Sequence, residues 1–106
     1  MNNTGLNNKY IEDINKIFAQ YDQVEKVVLY GSRATGTYNE RSDVDLVVFG
    51  ENINRHIIIQ IKNELEELNV PYLIDLIDYK TIDNENLVVH INRVGVEFYK
   101  KVTSDW

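Results

Sequence analysis

Apolar residues recur at helical spacing at Leu6, Tyr10, Ile11, Ile14, Ile17, Phe18 and Tyr21, which predicts a first helix capped by Thr4 or Asn7. Val24 to Tyr30 is short, β-branched and ends at Gly31; Val44 to Phe49 repeats the pattern and ends at Gly50, so both read as strands. Ile53, Ile57, Ile58, Ile61, Leu65 and Leu68 mark a second amphipathic helix, with Asn52 placed to cap it and Asn69-Val70-Pro71 placed to stop it. Tyr72 to Tyr79 reads as a third strand. Leu87, Val88, Ile91 and Val94 form a third helical face, Gly95 stands where a left-handed C-terminal cap belongs, and Val96 to Tyr99 adds a short last strand. This order lacks strict βαβ alternation and predicts an α+β fold: a mixed sheet of three to four strands with helices packed mainly on one face. The other face is left for a site.

The stretch between the first two strands, LYGSRATGTYNERSDVDLVVFG, carries the chemistry. Residues two apart in a strand share a face and lie roughly 6.6 Å apart, from a rise of about 3.3 Å per residue. Asp43 and Asp45 therefore face one way while Val44, Leu46 and Val48 face the other. Asp75, in YLIDLIDY, interrupts the third strand in the same manner. Three carboxylates on one sheet face repel one another unless cations hold them together. Oxygen ligands without thiolate or histidine suit Mg²⁺, or Mn²⁺, rather than zinc. Two such ions about 4 Å apart clamp the attacking and leaving oxygens of an in-line phosphoryl displacement. Gly31 lets the backbone approach a ligand closely, Ser32 offers a hydroxyl and an N–H where a helix could begin, and Arg33 could neutralise phosphate charge, with Arg41 the weaker candidate.

Each feature has an ordinary explanation when taken singly. A Gly-Ser pair is usually only a turn, and Asp-x-Asp at a strand edge is more often a solvated face that discourages edge pairing. Asp75 is harder to dismiss, because an uncompensated carboxylate among Leu73, Ile74, Leu76 and Ile77 costs stability. Asp78 points away from Asp75 and reads as solvated. His56 and His90 have no carboxylate partner at ligand spacing and read as surface or packing residues.

Composition narrows the classes. The 106 residues fit a single domain, 1–106, and seventeen acidic against eleven basic residues give a net charge of −6. That balance argues against a protein gripping nucleic-acid backbone by charge alone. No cysteine is present, which excludes disulfides and thiolate zinc sites. The N-terminal MNNTGLNNKY is unlike a signal peptide, and no apolar run approaches the roughly 20 residues of a membrane helix, so a cytoplasmic location is expected and no membrane partner.

GSRATG, then SDVDLVV, then YLIDLIDY resembles the minimal nucleotidyltransferases of the DNA polymerase beta superfamily, and the closing NLVVHINRVGVEFYK resembles the helix, glycine and strand that end those domains. The resemblance implies that Gly31 and Ser32, with Arg33, bind the phosphates of a nucleoside triphosphate. It implies that Asp43, Asp45 and Asp75 hold two Mg²⁺ ions and that an acceptor hydroxyl attacks the α-phosphate of ATP. Many relatives read GSRARG where this chain has Thr35, which removes a second arginine from the phosphate site. Small members of this size look like MntA-type antitoxins of HEPN/MNT toxin-antitoxin pairs, which transfer AMP to a tyrosine of a helical HEPN-domain ribonuclease. On that reading the acceptor arrives on another protein. Two other classes stay open: a module that neutralises its partner by masking it, and the catalytic subunit of a small-molecule nucleotidyltransferase completed by a second chain.

Overall fold

A computed structural model describes residues 4–102; both ends of the expected domain, 1–106, lie outside them. Helix α1 spans Asn8–Ala19 and is capped by Asn7, whose side chain accepts from the Lys9 N–H at 2.9 Å. Strand β1, Lys26–Tyr30, leads through a single helical turn, α2 (Ser32–Thr35), to β2, Val44–Phe49. Helix α3, Arg55–Glu66, is capped by Asn54 rather than Asn52. Strand β3 is Ile74–Asp78, followed by a 3₁₀ turn at Tyr79–Thr81, helix α4 at Glu85–Val94 and strand β4 at Val96–Lys100.

The four strands form one mixed sheet in the order β3-β2-β1-β4. Strand β1 runs antiparallel to both β2 and β4, and β2 runs parallel to β3. The two central strands are apolar on both faces, as burial on both sides demands. On one face Val27, Leu29, Val44, Leu46 and Val48 meet Ile14, Ile17 and Phe18 of α1 and Ile61 and Leu65 of α3. Helices α1 and α3 thus cover one face, as the pattern predicted. The second face is only partly free: Val28, Tyr30 and Val47 pack with Ile91 of α4.

Gly95 does not adopt the expected left-handed cap. Its φ of −58° and ψ of 139° carry the chain directly from α4 into extended β4, while its N–H still bonds the Ile91 carbonyl at 2.8 Å. Glycine is required there by space, since a Cβ would strike the Ile91 carbonyl and crowd Val28.

Candidate active site

The site lies at the end of the second face, where β1 finishes and the parallel pair β2 and β3 begins. Register places Tyr30, Asp45 and Asp75 side by side across β1, β2 and β3. Adjacent strands stand about 4.8 Å apart, so the sheet itself forces the Asp45 and Asp75 backbones together. Asp43 sits one residue before β2, on the same side of the chain as Asp45. Asp43 and Asp75 are exposed and Asp45 is half-buried.

Partial burial raises the Asp45 carboxyl above the ordinary carboxylate range, and the charges of Asp75 and Asp43 push it further, against a smaller opposing effect from His90. Among the described residues no ion pair joins these three carboxylates: the ion pairs there join Lys9 to Asp13, Lys80 to Asp78 and Lys101 to Asp22. Among the described residues, no three His, Cys, Asp or Glu side chains close on a metal ion by themselves. Mg²⁺ does not require such a cage, because it keeps several waters and takes substrate phosphate oxygens beside one or two carboxylates. The donor set and its surplus negative charge therefore fit Mg²⁺ bound jointly with a polyphosphate.

The Gly-Ser turn meets this cluster directly. Gly31 has φ 75° and ψ −157°, a region open to glycine almost alone, and a Cβ there would run into the Asp45 carboxylate. Ser32 opens α2, where the Ala34 and Thr35 N–H groups bond the Gly31 carbonyl at 3.1 Å and those of Ser32 and Arg33 make no bond within the turn. Thr35, at the position many relatives give to arginine, is exposed and bonds the Ser32 carbonyl and the Thr37 hydroxyl.

Arg33 departs from the expectation. It is only 2% exposed, and its guanidinium donates to the backbone carbonyls of Ser42 at 3.1 Å, Thr4 at 2.8 Å and Asn39 at 3.5 Å. Tyr38 and Tyr72 flank it at 5.1 and 4.7 Å. An arginine spent on three carbonyls and two rings is a brace for the loop leading to Asp43, and it presents no face to a phosphate. Asp78 also differs: it is buried, accepts from the Lys80 N–H and pairs with the Lys80 ammonium.

His90, read from sequence as packing, reaches the site: its Nε2 accepts the Gly31 N–H at 3.2 Å. Its position beside Ile91 on the apolar face of α4 was the available signal, because that face turned inward would carry the imidazole with it.

The family model "Polymerase beta, Nucleotidyltransferase" matches residues 12–104. A candidate protein adenylyltransferase of Methanocaldococcus jannaschii is 30% identical over 93 residues, covering 84% of this chain and 91% of that protein. Among solved structures, a toxin-antitoxin complex with AMP-PNP aligns with a TM-score of 0.69 at 18% identity, over 91% of this chain and 75% of that one. A Shewanella oneidensis MNT antitoxin structure, in complex with a tri-AMPylated HEPN toxin, gives 0.65 at 14%, over 89% and 72%. A candidate nucleotidyltransferase from Sulfolobus solfataricus gives 0.58 at 18%, over 88% and 79%. At these identities the structural likeness speaks for the fold.

Proposed function

Because the chain belongs to the polymerase beta nucleotidyltransferase family, we propose that it is a Mg²⁺-dependent protein adenylyltransferase that moves AMP from ATP onto a hydroxyl, most simply a tyrosine, of a HEPN-domain toxin. On this reading it acts as the antitoxin of the pair. The observation that carries the proposal is the row of Asp45 and Asp75, with Asp43 beside it and Gly31 pressed against the Asp45 carboxylate. The protein acceptor is supported by the name of the Methanocaldococcus relative and by the AMPylated toxin in the Shewanella complex.

Bound Mg²⁺ would supply positive charge for the developing negative charge on the phosphates. The chain's own part is to hold the reactants. Asp43 and Asp45 would anchor the metal-bound triphosphate, and the Ser32 hydroxyl and α2 backbone would meet its distal phosphates. Asp75, exposed on the outer strand, would receive the incoming hydroxyl and hold it toward the α-phosphate. The acceptor oxygen bonds to the α-phosphorus as the bond to the β-phosphate breaks; pyrophosphate leaves and the hydroxyl proton passes to solvent. Exposure of Asp43 and Asp75 leaves room for an acceptor as large as another protein.

Pyrophosphate release tests the reading. With Mg²⁺, ATP and the toxin, release should accompany AMP incorporation and should fall by at least about 10²-fold in Asp43→Asn, Asp45→Asn and Asp75→Asn. Toxin neutralised equally well by all three variants would point to masking, and AMP found on a soluble small acceptor would point to the small-molecule reading.

A further inference from the structure

The phosphate-binding turn is held from outside its own motif. Gly31 occupies a backbone conformation that fixes the direction of its N–H, and that N–H is given to Nε2 of His90, 59 positions away in sequence, at 3.2 Å. The ring of Tyr30 meets the imidazole edge to face, with centroids 6.3 Å apart. Ile91, 2% exposed, locks this part of α4 onto Val28 and Val47.

We propose that His90 is a positioning residue for the nucleotide: it takes up the Gly31 amide, fixes the turn against Asp45, and leaves the Ser32 hydroxyl and amide as the donors that meet phosphate. The inference rests on the nucleotidyl-transfer reading of the site and extends it to α4, which becomes part of the active site as well as a cover for the sheet. Gly31 serves through its shape and its fixed position, while its N–H is withdrawn from the ligand.

Three substitutions separate this role from simple packing. Gln places its amide oxygen near the position of Nε2, so His90→Gln should retain the bond; the shorter Asn and the apolar Leu cannot supply it. With the full chain, Mg²⁺, ATP and the protein acceptor, His90→Leu should raise KM for ATP about five- to tenfold while kcat stays within about twofold, because the turn holds ground and transition states alike. Hydrogen exchange at the Gly31 amide should accelerate in parallel, and His90→Gln should restore both values. Should His90→Leu fail to fold, His90→Asn must show the same pair of effects. Wild-type KM and Gly31 exchange in the Leu or Asn variant would overturn the proposal, as would a Gln variant that restores neither. Failure of the unaltered protein to transfer AMP would strike the underlying reading instead, and with it the nucleotide role of His90, leaving amide exchange to report the hydrogen bond alone.

Discussion

Asp45 concentrates the conflict between stability and chemistry in one side chain. Its carboxyl is raised by burial and by the charges of Asp75 and Asp43, so the folded chain favours the protonated form more than the unfolded chain does. The stability linked to this group is therefore present below the ordinary carboxylate range and lost as pH rises through the raised value. Thermal melts of the metal-free protein should show that decline, and Asp45→Asn should flatten it and raise the melting temperature at neutral pH while abolishing transfer. Added Mg²⁺ with a nucleotide should stabilise the wild type and leave Asp45→Asn almost unmoved. Arg33 makes the opposite case, a charged residue whose work is structural. Arg33→Lys keeps the charge but loses the planar fork that serves three carbonyls, and Arg33→Ala leaves those carbonyls without donors. Urea denaturation should show a loss of about 2–4 kcal/mol for the alanine variant. Gly31→Ala should abolish transfer even where the fold survives, because its methyl group meets the Asp45 carboxylate.

At the scale of elements, periodicity in sequence found every long helix and every strand within a few residues, because each helix has one face to bury and each strand is a short apolar run closed by a turn or a polar segment. The ends were harder to read. Asn52 and Asn54 are both plausible caps by type, and only the final geometry selects Asn54, whose oxygen accepts the Ile57 N–H. The left-handed expectation at Gly95 failed because no loop intervenes between α4 and β4. Asp43, Asp45 and Asp75 could be picked out because strand period and an apolar setting constrain them; the side-by-side register of Asp45 and Asp75 emerged only with the parallel pairing of β2 and β3. The contact of His90 with Gly31 depends on which sheet face α4 covers, and that is a tertiary fact. Nor could local spacing reveal Arg33 turning inward, since its carbonyl partners lie on Thr4, Asn39 and Ser42. Asn84 caps α4 by accepting the Asn86 N–H at 2.9 Å and the Leu87 N–H at 3.3 Å. Asn84→Ala should cost about 1 kcal/mol by chemical denaturation, and Asn84→Asp should recover most of it.

Across the whole molecule, a carboxylate cluster at the rim of a four-stranded sheet is left open toward solvent while the apolar mass lies beneath α1 and α3. The net charge of −6 adds to the local demand for cations at that rim. On the proposed reading the nucleotide would sit at that rim, and the exposed Asp75 would be left for a second protein. The most direct test is the intact mass of the toxin after incubation with Mg²⁺, ATP and this chain, beside the same reaction with Asp45→Asn. The account predicts a toxin heavier by whole AMP units with the wild type and unchanged mass with the variant. A toxin silenced by the wild type with no added mass, and silenced equally by Asp45→Asn, would contradict it.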